Sequence, residues 1–366
     1  MLGPVRVRDG NPWHMSDAAG GCRFGSGIER DEMGILLMDC EWTLFFQFMI
    51  IGLASGSLIA LIALGYTLVY GIIELINFAH GEVFMMGAFF AATLVVVTGV
   101  TSDSSTGLIV SVLILTLLAS MAFSGLLNAA IDKLAYSRLR KAPRLAPLIA
   151  AIGMSFILQN IAIYWKGPNP FTGPDLIPSE IRSYNVLQEW PLLRDWFADS
   201  TLRLRLIDLF VIGVTIPLLI ILSWFVYRTR IGTAMRATAQ DREAAALMGI
   251  DINRTIGVAF LLGGGLAGAA GMVALFYNNS GRFQMGFTYG LFAFTAAVLG
   301  GIGNLAGAVV GGFMIGLIWS YSDGFMGTYI GGWGSQWTNS VIFGILILVL
   351  VFRPSGLLGQ QVADKV

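Results

Sequence analysis

Charged residues are scarce in this sequence. Asp, Glu, Lys and Arg make up 12% of its 366 residues, whereas hydrophobic residues make up 56% and the mean hydropathy is +0.75. A soluble domain of this length cannot hide so much apolar surface in one core, so the composition predicts an all-α polytopic membrane protein surrounded by lipid. The formal net charge is zero, and no basic face indicates a nucleic-acid partner.

Histidine, cysteine and lysine are also rare. His14 and His80 are too few for a multi-histidine metal site. Cys22 and Cys40 have neither C-x-x-C nor zinc spacing. None of the four lysines follows a glycine, so the chain lacks the Gly-Lys-Ser/Thr phosphate loop of an ATPase. We therefore expect no metal, no cofactor and no catalytic residue in this chain.

Long apolar runs dominate what is present. A spanning helix needs about 20 apolar residues, and shorter pieces are tolerated where protein buries them. We predict about ten membrane segments, within a range of about 8 to 10 and with some discontinuous. They are placed at 43–64, 66–78, 82–98, 107–131, 145–165, 206–227, 255–278, 286–303, 305–322 and 338–352.

Glycines crowd the segments after Arg254. Gly264, Gly268 and Gly271 have the three- to four-residue spacing that lets membrane helices approach backbone to backbone. Broken helices at residues 77–82 and 300–304 are a second reading, because unwound backbone in transporters lines cavities.

Basic residues indicate the orientation. The segments 132–144 and 228–254 are rich in Lys and Arg, whereas 99–106 and 323–337 have none. Positively charged loops stay in the cytoplasm, so parity makes 166–205 an extracytoplasmic loop. With ten segments, both termini are expected in the cytoplasm.

The ends of the chain differ from its middle. Residues 1–42 are Gly-rich and mixed in charge, which predicts a disordered N-terminal extension, with Met33 or Met38 as an alternative start. The membrane domain is expected over 43–356, and a short cytoplasmic tail over 357–366.

The basic segment 228–254 resembles a soluble surface. Asp241 can cap a short helix, Glu243 puts negative charge near its positive end, and Gly249 can supply a left-handed stop. Small and apolar residues between them give a surface that suits a partner's groove, although an ordinary loop helix explains the pattern as well: Ala244, Ala245, Ala246, Leu247 and Met248.

A second polar stretch lies between two apolar runs. Asn77, His80 and Glu82 are costly at membrane depth, so they are expected to face a cavity or a partner. One reading has Gly81 break the helix, so that His80 and the freed backbone line a translocation path walled by Phe78. The other is a cytoplasmic turn with a solvated Glu82. Asn304, in the second glycine-rich break, is the remaining candidate for the path.

Two motifs resemble those of ABC importer permeases. Glu243-Ala244-Ala245, followed after three residues by Gly249, resembles their EAA…G signature. The Leu-Pro pair of the longer signature is absent from Ala259-Phe260-Leu261-Leu262, which sets the chain apart from sugar permeases. A pattern typical of the branched-chain amino acid group is present at Arg236, Ala237, Ala239, Asp241, Ala245, Gly249 and Ile250.

The stretch Asn77-Phe78-Ala79-His80-Gly81-Glu82 is similar to the N-F-A-H-G-E/D segment of the H-type permease subunit of branched-chain amino acid ABC importers. With AAIGMSFILQN at 150–160 and FTAAVLGGIGNLAGAVVGG at 294–312, the resemblance covers most of the chain from residue 43 onward.

The resemblance implies a transport subunit in a bacterial inner membrane, without chemistry of its own. It implies a second homologous permease, two ATP-binding subunits that hold ATP-Mg, and an external solute-binding protein. Asp241, Glu243, Ala244, Ala245 and Gly249 would form the helix that couples to the ATPases.

Two alternatives remain at this stage. Related permeases move urea or short amides. A carrier driven by an ion gradient is the other, with Glu74, His80 and Glu82 as a proton relay.

Overall fold

The structure is a computed structural model. It describes residues 30–73, 77–101, 104–140, 142–143, 145–165, 184–198, 202–301, 303–326, 335–353 and 355–359. Within these ranges no β-strand forms, apart from an isolated antiparallel bridge between Asn185 and Arg205. The predicted class, an all-α polytopic membrane protein, is confirmed.

The helices follow one another in a single chain of spans and short connections. In order they are α1 Arg30–Ile73, α2 Ala79–Thr98, α3 Thr106–Ile131, α4 Ser137–Leu139, α5 Leu145–Tyr164, α6 Val186–Glu189, α7 Pro191–Phe197, α8 Leu206–Arg228, α9 Arg230–Gln240, α10 Arg242–Leu247, α11 Ile252–Asn278, α12 Met285–Gly300, α13 Leu305–Ser320 and α14 Ser335–Phe352. The π-helical turns Asp132–Tyr136 and Tyr321–Met326 extend α3 and α13.

Seven helical stretches of the described ranges are long and apolar enough to span a membrane, and Met285–Gly300 and Trp337–Phe352 are shorter apolar helices. The division of the first run into 43–64 and 66–78 is wrong, because α1 continues without a break to Ile73. Gly65 does not interrupt it. A Cβ at Gly65 would lie 2.4 Å from His80 Nε2 and 2.9 Å from the Gly263 carbonyl oxygen, so this glycine allows two helices to pack closely against α1.

The core of the bundle is built from α1, α2 and α11. These three spans are mostly buried, whereas α3, α5 and α8 turn most of their surface outward. The outward surface is apolar, as lipid contact requires. Every backbone polar group inside such a helix is bonded within the helix, which explains why helices alone carry the fold across the bilayer.

Glycines set the distance between α11 and its neighbours. A Cβ at Gly268 would lie 2.3 Å from the Ser120 carbonyl oxygen of α3, and one at Gly271 would lie 2.3 Å from the Phe84 carbonyl oxygen of α2. The predicted close approach is therefore confirmed, and it joins α11 to two helices instead of one.

Hydrogen bonds show which helix ends lie together. Near the start of the apolar span Trp42–Ile73 of α1, the Gln47 amide exchanges hydrogen bonds with the backbone of Arg203, just before α8. At its other end, the Ile72 carbonyl oxygen accepts from Arg242 of α10. The two ends of α1 therefore mark two opposite ends of the bundle.

The C-terminal segment belongs to the α10 end. The Leu357 N–H donates to the Leu299 carbonyl oxygen at the end of α12. A Cβ at Gly71 would lie 3.3 Å from Gly303 Cα, so the turn between α12 and α13 also lies there.

Three predicted segments are covered only in part. Residues 1–29 and 166–183 lie outside the described residues, as does most of the 357–366 tail. Residues 30–42, which were assigned to the N-terminal extension, belong to helix α1. The rest of the predicted external loop contains the short helices α6 and α7.

Candidate functional site

Helix α10 is closed at both ends by its own residues. Asp241 Oδ1 accepts hydrogen bonds from the N–H groups of Glu243 and Ala244, each at 3.0 Å. At the other end Gly249 adopts φ +82° and its N–H donates to the Ala246 carbonyl oxygen at 3.0 Å. The predicted cap and left-handed stop are confirmed.

The faces of α10 differ in exposure. Ala245 is buried against the bundle, whereas Leu247 and Met248 are 88% and 82% exposed. Exposing large apolar side chains to water is unfavourable unless another surface covers them. Helix α10 therefore presents a pair of apolar side chains away from the protein.

Helix α9 holds α10 in place. Its N-cap Thr229 accepts from the Gly232 N–H at 3.0 Å, and Met235 is buried where α9 contacts α1 and α11. Helix α10 is therefore connected through α9 to two core helices.

Asn77 is held near the α10 end. The Tyr136 hydroxyl donates to Asn77 Oδ1 at 2.7 Å. Both residues border a small cavity together with Arg140, whose Nη2 is 2.7 Å from each carboxylate oxygen of Asp132. Asn77 thus forms a buried hydrogen bond with Tyr136, next to the Arg140–Asp132 pair.

His80 and Gly81 lie inside helix α2 and are fully buried in helix contacts. The His80 ring meets the Tyr66 ring edge to face, with centroids 4.6 Å apart. A Cβ at Gly81 would lie 2.3 Å from the Gly286 carbonyl oxygen. Two details are excluded: Gly81 lies within α2 and does not break a helix, and His80 lies in the first turn of α2, after a turn at Asn77 and Phe78.

Glu82 is fully buried, which excludes the solvated acid considered above. Its Oε1 accepts from Gln159 Nε2 at 2.7 Å and from Ser155 Oγ at 3.1 Å. His80 contacts α1 and Glu82 contacts α5, because residues two apart on a helix point about 200° apart. Glu74 lies outside the described residues, so the three groups of the proposed relay are not seen together.

A cavity opens beside the hidden carboxyl group, between α5 and the start of α12. Its volume is about 560 Å³. Its surface is mainly apolar, and the lining residues are Phe78, Ile152, Phe156 and Phe287, with the polar side chains Ser155, Gln159, Gln284 and Thr288. Among the described residues, no three His, Cys, Asp or Glu side chains lie close enough together to hold a metal ion.

Asn304 lies far from this cavity, at the α10 end. Its Oδ1 accepts from the Gly307 N–H at 3.1 Å, which caps α13, and its Nδ2 donates to the Leu358 carbonyl oxygen at 2.8 Å. The turn before it contains Gly301 and Gly303, both with positive φ. Asn304 therefore ties the C-terminal segment to the α12–α13 turn.

Comparison with known proteins identifies the family of this chain. The family model described as "Branched-chain amino acid transport system / permease component" matches residues 48–351. The chain belongs to this family. The high-affinity branched-chain amino acid transport permease BraD of Pseudomonas aeruginosa is 37% identical over 329 residues, which are 88% of this chain and 98% of the relative.

The permease has further relatives. The LivH permease of Escherichia coli K12 is 34% identical, over 90% of this chain and 100% of its own length. A probable LivH permease of Methanocaldococcus jannaschii is 27% identical, over 83% and 89%. No solved structure matches the chain. These relatives are named as transport permeases, not as enzymes.

Sequence reasoning found part of the permease's cavity and missed the rest. Phe78 and Glu82 were among the candidates, whereas Ser155, Gln159, Gln284 and Thr288 were not. Ser155 and Gln159 carried a usable signal, since two polar residues four apart share one face of an otherwise apolar helix. Gln284 and Thr288 have the same spacing at the start of α12.

Proposed function

We propose that this permease subunit forms the path by which branched-chain amino acids enter a bacterial cell across the inner membrane, driven by ATP hydrolysis on separate subunits. The observation that carries the proposal is helix α10: capped, anchored to α1, and presenting Leu247 and Met248 outward. A carrier driven by an ion gradient has no use for such a helix.

The coupling role is assigned to the segment from Asp241 to Gly249. Asp241 starts the helix, Glu243 complements its dipole, and Ala244 keeps the outer face narrow. Ala245 seats the helix on the bundle and Gly249 ends it. A groove on an ATP-binding subunit would cover Leu247 and Met248.

The complete importer, in this proposal, contains the permease, a second homologous permease, two ATP-binding subunits with ATP-Mg, and an external solute-binding protein. The names of the relatives support a transport system with several components. The exposed faces of α5 and α12 beside the cavity would meet the second permease.

The orientation follows from putting α10 in the cytoplasm. Because α1 ends beside α10, the start of its apolar span near Gln47 would lie on the outer side, together with the segment before α8. The C-terminal segment would lie inside. This revises the expectation that both termini are cytoplasmic, which depended on counting α1 as two segments.

The translocation path is assigned to the cavity between α5 and α12. Phe78 would form part of its wall, and Glu82 would support the wall from behind. Asn77, His80, Gly81 and Asn304 are reassigned to the packing and capping of helices. Four apolar and four polar lining residues suit an aliphatic amino acid better than urea.

The test is reconstitution of the full importer in proteoliposomes with radiolabelled leucine. ATP-dependent uptake that excess unlabelled urea does not reduce is expected. Leu247→Asp should abolish co-purification of the ATP-binding subunits, whereas Trp196→Asp, at a residue of similar exposure (85%) outside α10, should not. Leucine uptake that follows a proton gradient in the absence of ATP would refute the proposal.

A further inference from the structure

Glu82 is the one charged side chain of α2, and it is hidden at membrane depth. Its partner Ser155 lies midway along α5. Placing a carboxylate there is costly unless partners compensate. Gln159 and Ser155 compensate one oxygen, Oε1. These two hydrogen bonds fix the orientation of Gln159 and Ser155, which both line the cavity. That effect gives a reason for a carboxyl group at this position.

The carboxylate decides which atoms of its partners remain for a ligand. A carboxylate only accepts hydrogen bonds, so Gln159 must turn its NH₂ group toward Glu82, and Ser155 must turn its hydroxyl hydrogen the same way. The atoms left for a ligand are the Gln159 carbonyl oxygen, the second N–H of its amide and the Ser155 lone pairs. The α5 wall of the cavity therefore offers mainly acceptors.

The opposite wall is different. Thr288 donates its hydroxyl hydrogen back to the Gln284 backbone carbonyl oxygen at 3.4 Å, and the Gln284 side chain, which carries both an NH₂ group and a carbonyl oxygen, lines the cavity. The α12 wall can therefore meet a carboxylate through the Gln284 NH₂ group. The apolar residues between the two walls suit an aliphatic side chain.

Glu82 has no room to turn away from this arrangement. Its Oε2 has no hydrogen-bond partner among the described residues and lies against Gly286, where a Cβ would come within 2.3 Å. The start of α12 therefore confines the carboxylate against α5, so that Gln159 and Ser155 keep their orientation.

We propose that Glu82 is a positioning residue that holds Gln159 and Ser155 so that the Gln159 carbonyl oxygen and the Ser155 lone pairs are available to a ligand, and that the cavity thereby selects the ammonium group of an amino acid. This inference rests on the proposed function and names the group that the path recognises. Selection for a free ammonium would exclude branched-chain acids that lack one.

The experiment compares two photoreactive probes that carry a diazirine: an analogue of leucine, and the same molecule without the amino group. Each is added to the complete importer in detergent without nucleotide, and covalent labelling of this chain is measured by mass spectrometry. The wild type should be labelled by the amino acid about tenfold more than by the acid, the value of one charge-assisted hydrogen bond. The labelled peptides should include Phe78, Ile152, Phe156 or Phe287.

The variants separate positioning from general damage. Gln159→Leu and Glu82→Gln should bring the labelling ratio close to one. Asn160→Leu, the next amide on the same helix, faces outside the cavity and should leave the ratio unchanged. Only labelling of the cavity peptides is counted, because unfolded protein would be labelled equally by both probes.

The outcomes also separate this inference from the proposed function. A wild-type ratio near one, together with normal ATP-dependent leucine uptake, would overturn the inference and leave the function intact. Equal ratios in Gln159→Leu and Asn160→Leu would overturn it as well. Loss of leucine uptake in the wild type would instead count against the function.

Discussion

The Arg242 guanidinium donates two hydrogen bonds to the Ile72 carbonyl oxygen, at 2.7 Å from Nη2 and 3.2 Å from Nε. Ile72 is in the last turn of α1, where carbonyl groups have no partner within the helix and where positive charge is favourable. Arg242 is the first residue of α10. The bond therefore ties the proposed coupling helix to the long core helix that leads toward Phe78 and the cavity.

Arg242→Ala should uncouple transport from ATP hydrolysis. Loss of a charge-assisted hydrogen bond is expected to reduce leucine transported per ATP hydrolysed about tenfold. Both rates are measured in proteoliposomes. Arg254→Ala is the control, because it removes the same charge from an exposed position at the start of α11. Equal transport per ATP in the two variants would contradict the role of this bond.

Gly249 offers a test of the shape of α10. Its φ of +82° is unfavourable for a β-branched residue, although a Cβ there would meet nothing within 4 Å. Gly249→Val should cost about 1–2 kcal/mol locally and weaken co-purification of the ATP-binding subunits. Gly249→Asn should stay close to the wild type, since asparagine tolerates the left-handed region. If both variants behave alike, conformation at this residue is not what matters.

The glycine contacts of α11 predict a difference in stability. Gly268→Ala would force a Cβ to within 2.3 Å of the Ser120 carbonyl oxygen, so α3 and α11 must separate. A loss of about 1–3 kcal/mol is expected, seen as a lower melting temperature in detergent. Gly213→Ala, on the outward side of α8 with nothing within 4 Å, should leave the melting temperature unchanged or raise it slightly. A melting temperature for Gly268→Ala equal to that of the control would show that this approach is not tight.

The proposed orientation predicts which end of α1 is accessible from outside. In a background without Cys22 and Cys40, Trp42→Cys should react with a membrane-impermeant maleimide in spheroplasts. Met248→Cys should react only after the membrane is opened. Both side chains are exposed in the structure, at 57% and 82%, so access to each depends on the side of the membrane. Reaction of Met248→Cys in sealed spheroplasts would place α10 outside and contradict the assignment.

Sequence determined the features that depend on neighbours along the chain. Hydropathy established the polytopic helical class, because the bilayer acts on every apolar run in the same way. The cap at Asp241 and the stop at Gly249 were predictable as well, since each bond joins residues at most three positions apart. The count of spans was less certain: Gly65 has the same local sequence signal whether it breaks a helix or admits a neighbour.

Only the tertiary structure decided which polar groups share a site. Glu82 meets Ser155 and Gln159 across 73 and 77 positions of the chain, and the opposite wall of the cavity comes from α12. Asn77, His80 and Glu82 looked equivalent in one short motif. In the structure they contact different neighbours: Asn77 contacts Tyr136, His80 contacts Tyr66, and Glu82 contacts α5. Which of them supports the cavity depends on the packing of helices distant in sequence, and no local pattern encodes that packing.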